Sequence, residues 1–443
     1  MISRRSVIVP SVLSGLLFLG GPCGCVNLTG IGHSSHDHAF IRYWPPPRGT
    51  QQTRLAVKDL IDMKGVVTTA GSEFLAKNSP PAKEDAACLS IARHRSDVVF
   101  VGKTNLSEFA VAPSGMNDYF GSPINPRTKL RHRIPGGSSS GSAVAIAKGL
   151  ADVSFATDTL GSIRFPAACC GIVGLKTTNG LISLKGVYPI DAEHQDTVGP
   201  MAADIPHTVL GMELLENGFA AKYKAAEALH PSAEGLTVGR VYRSGTDPRV
   251  DTAIDNALLR AHFHVVPLSK DFTAKWDQAA RDGTTVATAS AWLSNQKFAS
   301  QPGISLRTRA VVAMGRIAYN TGYHQASARR KAWRATLART FHHVDLIALP
   351  TMQQLPPRLP LFRVSPLIEA TVLRLQNTEA VSFSGNPALA IPVAVENMDV
   401  HHTSLQLVGP RLSEAELLNA GRLVEDSQPP IHKHGLALFT HHQ

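Results

Sequence analysis

From Arg54 onward short β-branched runs alternate with stretches of helical periodicity, and this alternation restricts the possible folds more than any other feature of the 443-residue chain. Glu84 to Arg93 carries a helical pattern, Val98 to Val101 is a short strand-like run, and Asn105 to Phe109 fits a helical turn. Ser142 to Leu150 is a helix candidate built from small residues, and it leads into the strand-like Val153 to Ala156. Further on, Leu236 to Tyr242, His264 to Leu268 and Val344 to Leu349 read as strands, with a helix over Asp251 to Ala261. Such an order predicts an α/β fold, a sheet covered by helices on both faces. Neither a repeat nor a linker-like stretch follows residue 54, so the reading is one domain over 51–430 and a tail over 431–443.

The N-terminus has another character. Arg4-Arg5 precede the apolar run Val7 to Leu19, then Gly20, Gly21, Pro22 and Cys23-Gly24-Cys25. This is the pattern of a secretory leader over 1–25, and the run is short of the roughly 20 apolar residues a membrane-spanning helix needs. Export is therefore expected, and Cys25 is a candidate lipid-attachment site although the residues before it fit that pattern poorly. Residues 26–50, with His33 to His38 and Pro45-Pro46-Pro47, read as a linker. Histidines in such a polar segment rarely make a specific metal site, and no metal is expected there.

A net charge of +10 would suit a nucleic-acid partner if the basic residues were clustered. They are scattered; the densest group, Arg329-Arg330-Lys331 with Arg334, lies in a helical stretch and reads as a solvated face. No nucleic-acid partner is expected. Past the leader only Cys88, Cys169 and Cys170 remain, too few for a disulfide framework, and the adjacent pair reads as packing.

The chemistry concentrates between Pro135 and Arg164. A flexible linker does not explain Gly136 to Ser142, because the apolar Ala143 to Ala147 follows at once. A phosphate-binding loop lacks its Gly-Lys-Ser/Thr ending. A serine hydrolase site accounts for both the Gly/Ser loop and Asp158 to Arg164: glycines let backbone N–H groups approach a developing oxyanion, and a serine needs a base within reach, which can be lysine.

With these residues the chain resembles the amidase signature enzymes, whose hallmark is a Gly-Gly-Ser-Ser-Gly/Ser-Gly loop followed by Asp-Thr-Gly-Gly-Ser-Ile-Arg. Here these are Gly136 to Gly141 and Asp158-Thr159-Leu160-Gly161-Ser162-Ile163-Arg164. Val57-Lys58-Asp59, Gly102 to Asn105, Pro166 to Thr177, Asp196 to Met201 and Leu405 to Pro410 continue the likeness in order across about 54–427. The resemblance implies a central mixed β-sheet and hydrolysis of a small-molecule carboxamide. It assigns Ser162 as nucleophile, Ser138, 24 residues earlier, as bridging serine, and Lys58 as base. The backbone N–H groups of Thr159, Leu160, Gly161 and Ser162 become the oxyanion donors, with Ser139, Asp158 and Arg164 in support. Lys103 is a rival base whose family segment is structural. The chemistry calls for no metal or organic cofactor, and none of His132, His194, His342 or His343 stands in a G-x-S-x-G context.

Two departures stand out. Leu160 occupies a usual glycine position, and a leucine forced to positive φ would cost about 1–2 kcal/mol. At negative φ it would instead line the acyl pocket. Glu193-His194-Gln195 replaces a shorter stretch and is expected to reshape the pocket wall. A strained loop would leave a weakened family member acting as a binding protein, the main competitor to an active amidase. A third option is the amidotransferase subunit that works on misacylated tRNA, which export disfavours. Pocket-forming residues are expected within about 205–345.

Overall fold

Along each long strand the side chains alternate between two apolar surfaces, and both surfaces are covered. Eleven strands make up the sheet among the described residues, the edge strands being partly exposed. They are β1 (Phe40–Tyr43), β2 (Thr53–Lys58), β3 (Val98–Thr104), β4 (Val153–Asp158), β5 (Val173–Lys176), β6 (Thr197–Ala202), β7 (Thr237–Arg240), β8 (His264–Pro267), β9 (Leu346–Pro350), β10 (Ala388–Ala394) and β11 (His402–Val408). The computed structural model describes residues 34–128, 133–359, 367–396 and 400–429. The leader-like segment with Cys25, His33, His132 and the tail lie outside the described residues.

The strands join into one mixed sheet in the order β1-β3-β2-β4-β6-β5-β10-β11-β9-β7-β8. β2 runs parallel to both β3 and β4, and β7 runs parallel to β8 and β9, while the strands from β4 through β6, β5, β10 and β11 to β9 pair antiparallel. Leu55 and Val57, Phe155, Leu389 and Ile391, Leu405 and Leu407 point to one face, where helices Ile205–Glu213, Pro248–Arg260 and Glu414–Ser427 pack. Ala56, Ala156 and Ala390 point to the other, against helices Ser140–Ala147 and Arg164–Cys170. Farther along that second face, Ile347 and Leu349 meet the helices Lys270–Asn295 and Tyr323–Thr340. The predicted α/β sheet with helices on both faces is what the chain builds.

Local signals explain several boundaries. Asp247 accepts the Arg249 N–H and Pro248 takes the first helical position, so the helix begins at Pro248, ahead of the expected Asp251. It then buries Val250, Ile254, Ala257 and Leu258 at helical spacing. Ser269 and Ser305 cap the next two long helices through the N–H groups of Phe272 and Thr308.

Four expectations need correction. Residues 26–50 are not all linker: β1 pairs antiparallel with β3 and its Phe40 is wholly buried, because four residues at a sheet edge satisfy their backbone groups without a long hydrophobic run. His36 packs on Tyr43, with ring centroids 4.2 Å apart, and His38 lies 2.5 Å from Ser34 Oγ, so both have structural contacts. The helical turn expected over Asn105 to Phe109 is reduced to a distorted 3₁₀ turn at Glu108–Ala110, in which Phe109 and Ala110 adopt φ of 52° and 57°. The Glu84 to Arg93 helix is confined to a 3₁₀ turn at Ala87–Leu89 and a short α-helix at Ser90–Arg93. The basic group is not a plain solvated face either: Arg330 and Arg334 donate to the Phe383 and Ser384 carbonyls at the end of the helix Glu379–Ser384, and Arg329 pairs with Asp282 at 2.6 Å.

Replacing Leu407, which is fully buried between the sheet and its helices, by alanine is expected to cost about 2–5 kcal/mol in denaturant unfolding. Leu259→Ala, at a position 70% exposed, should change stability by less than about 0.5 kcal/mol.

Candidate active site

Lys58 ends β2 and Asp158 ends β4, so the parallel pairing of these strands brings their carboxyl ends side by side. That end of a parallel sheet is where open α/β folds place their sites. Lys58 is fully buried, and its Nζ donates to Ser138 Oγ at 2.7 Å and to Thr157 Oγ1 at 2.8 Å. Burial lowers its pKa to about 7, against the opposing fields of Asp158 and Asp196. Lys103 differs in that it is paired with Asp59 at 2.9 Å and donates to the Ile61 carbonyl at 2.5 Å. A cation so held is a structural brace.

Ser138 follows a cis peptide bond from Gly137. A Cβ on Gly137 would lie 2.5 Å from the Gly115 nitrogen, so only glycine lets the two loops approach this closely. Ser139 ties this segment to the next: its N–H donates to the Ser162 carbonyl at 3.3 Å, and its Oγ to the Thr157 carbonyl at 3.3 Å. Gly137 and Ser162 consequently line one cavity of about 220 Å³, together with Thr159 and Leu160.

The turn bearing Ser162 is clamped from behind. Arg164 meets Asp158 through two parallel hydrogen bonds of 3.0 and 2.9 Å, and Asp158 also accepts the Ile163 N–H at 3.2 Å. Arg164 reaches on to the Thr378 carbonyl, Gln406 and Ser382. Asp158 is held below the usual carboxylate range: the neighbouring Arg164 and Lys176 outweigh the effect of burial. Thr159 donates to Asp196 at 2.6 Å, and burial raises the Asp196 carboxyl to about 6. Asp158 and Arg164 thus tie the turn to the end of β4.

Leu160 does not take the left-handed region. Gly161 does, at φ 135°, and a Cβ there would sit 2.2 Å from Thr378 Oγ1. Of the two outcomes open to Leu160, the unstrained one holds, since the next residue takes the positive φ; Leu160 lines the cavity, and its carbonyl accepts from Thr378 Oγ1. Among the described residues the N–H groups of Leu160, Gly161 and Ser162 have no protein acceptor, so this turn offers free donors. The Glu193-His194-Gln195 stretch packs through Gln195, whose side chain donates to the Gly283 carbonyl at 3.3 Å, while nearby Ile190 reaches the cavity wall. Neither His194, His342 nor His343 lines the cavity.

Several participants escaped the sequence. Thr157, Thr378 and Gln376 are ordinary residues in polar or apolar runs, and only their positions beside Lys58 and the turn give them a part. The cavity wall draws on Ala287, Ala291, Val311 and Met314 inside the expected 205–345, but also on Val111 and Leu373 outside it.

Arg164→Met would leave Asp158 buried without its cation and should lower stability by about 3–5 kcal/mol, read as a lower Tm by calorimetry. Adding Asp158→Asn should restore part of that loss.

The amidase family model matches residues 54–418. Over 411 residues the chain is 32% identical to a glutamyl-tRNA(Gln) amidotransferase subunit of Halobacterium salinarum, covering 84% of this chain and 95% of that protein. It is also 32% identical over 395 residues to 2-amino-5-chloromuconic acid deaminase of Comamonas testosteroni, covering 84% of this chain and 80% of the other. The solved structure of 6-aminohexanoate cyclic dimer hydrolase has a TM-score of 0.73 and 21% identity, covering 85% of each chain, a likeness of fold. Match length, identity and fold agree: the chain belongs to the amidase signature family of amidohydrolases.

Proposed function

We propose that this protein hydrolyses the amide bond of a small carboxamide through an acyl-enzyme on Ser162. The observation that carries the reading is the dry contact of Lys58 Nζ with Ser138 Oγ, made by a lysine whose pKa lies near 7. A neutral amine has one lone pair; with a hydrogen directed at Thr157 Oγ1, that lone pair can face Ser138. Ser162 Oγ attacks the carbonyl carbon, its proton passes to Ser138, and the Ser138 proton passes to Lys58. The N–H groups of the Leu160 to Ser162 turn hold the oxyanion as it develops. Lys58 returns the proton through Ser138 to the departing nitrogen, and water then cleaves the ester in the same way.

A weakened binding protein loses its main support, since Leu160 is unstrained. The likeness to the Halobacterium salinarum protein favours a second reading, release of ammonia from glutamine for a tRNA-bound acceptor. That reading requires partner subunits in the cytosol, whereas the N-terminal pattern is that of an exported chain. Co-purification with such subunits would support it.

A serine-reactive fluorophosphonate should label the wild type and fail to label Ser162→Ala, while Lys58→Ala should slow labelling by about 100-fold or more, on the order expected for loss of a general base. Labelling that persists in Ser162→Ala would remove Ser162 as the nucleophile. Because the reaction needs neutral Lys58, kcat/KM should be low at pH 5 and rise through an apparent pKa of about 7. A profile flat from pH 5 to 8 would exclude Lys58 as the base.

A further inference from the structure

Three helices that the catalytic motifs do not mark close over the cavity beside Ser162. Ala287 and Ala291, one turn apart on the helix Lys270–Asn295, face Val311 and Met314 on the helix Leu306–Thr321 and Leu373 on the helix Leu367–Leu375. Among the described residues no lysine, arginine or histidine lines this space. Its one carboxylate, Glu369, is already engaged. Glu369 Oε1 accepts from Arg307 Nη1 at 2.5 Å and from Ser114 Oγ at 2.6 Å, and Oε2 accepts the Ser114 N–H at 2.9 Å. Thr159 is likewise committed to Asp196, which leaves Thr288 and Gln376, besides Ser162 itself, as the polar side chains on the described wall.

We propose that this cavity is an acyl pocket for uncharged, apolar acyl groups, about the size of a benzene ring with a two-carbon arm. The proposal rests on the reading of Ser162 as the acylated residue and names the substrate class of that site. Its size follows from volume: an apolar cavity of about 150 Å³ holds benzene, and the space here is about 220 Å³. Its charge preference follows from desolvation. A substrate carboxylate would enter beside Glu369 with no lining cation to receive it, and a substrate ammonium would have to compete with Arg307 for Glu369. An apolar group loses nothing on entry and gains contact with alanine, valine, leucine and methionine side chains. Ala287 and Ala291 set the depth, since larger residues there would project from a buried helix face into the space.

The test compares 3-phenylpropanamide, acetamide and glutamine as substrates of the full chain. kcat/KM for 3-phenylpropanamide should exceed both others by about 100-fold or more, since pocket-filling carbons discriminate strongly and a buried unpaired charge is disfavoured. Ala291→Phe should cut the 3-phenylpropanamide to acetamide ratio by at least about tenfold. Glutamine or acetamide turned over as well as 3-phenylpropanamide would overturn the proposal. Calorimetric titration of Ser162→Ala with the same three compounds reads the pocket without the chemistry. Preferential binding of 3-phenylpropanamide supports the pocket even if the wild type hydrolyses no amide, an outcome that would refute the catalytic reading alone; tighter binding of glutamine overturns the pocket.

Discussion

The buried pair of Asp158 and Arg164 is the interaction on which the site depends. Two charges with no exposure to water are costly to bury, and the cost is offset only when every donor and acceptor is used. Arg164 meets that demand: its five N–H groups are taken by the two Asp158 oxygens, Ser382, Gln406 and the Thr378 carbonyl. Those partners come from the end of β4, from β11, from the helix Glu379–Ser384 and from Thr378 just before it. The pair therefore does more than hold its own turn. It fixes Thr378, whose hydroxyl holds the Leu160 carbonyl, and so sets which way the neighbouring N–H groups face.

Three buried lysines show why environment, rather than burial alone, distinguishes one from another. Lys103 has a carboxylate partner in Asp59, 2.9 Å away, and is held by it. Lys176 is pushed down to about 7 by burial and by Arg164, yet it donates to the Thr177 and Asn386 carbonyls, which have no proton to give. Lys58 combines a pKa of about 7 with two hydroxyl neighbours. A depressed pKa supplies a free base, and a hydroxyl at 2.7 Å supplies something for it to act on. Only Lys58 has both.

Much of the sheet was legible because period-2 alternation and β-branched residues are local properties: β3, β4, β7, β8 and β9 lie where such runs occur. β1 was not, because four residues beside a proline run carry too little pattern and owe their strand geometry to pairing with β3. Phe109 and Ala110 escaped for a related reason, since contacts around them hold positive φ that neither residue type favours. At the turn before Ser162, the sequence marked Leu160 as anomalous but not that Gly161 would take the unusual dihedral.

Sequence by itself determined the candidate set: the motifs that carry the family resemblance point to Ser162, Ser138, Lys58, Asp158 and Arg164. Tertiary structure decided what surrounds them. Thr157 beside Lys58, the paired Glu369 and the apolar wall from Ala287 to Met314 arise from segments far apart in the chain, and each is commonplace until packing removes water and brings it within a few ångströms of the turn. Hydrogen-bond reach, desolvation and cavity shape are properties of that proximity, so no local pattern could have announced them.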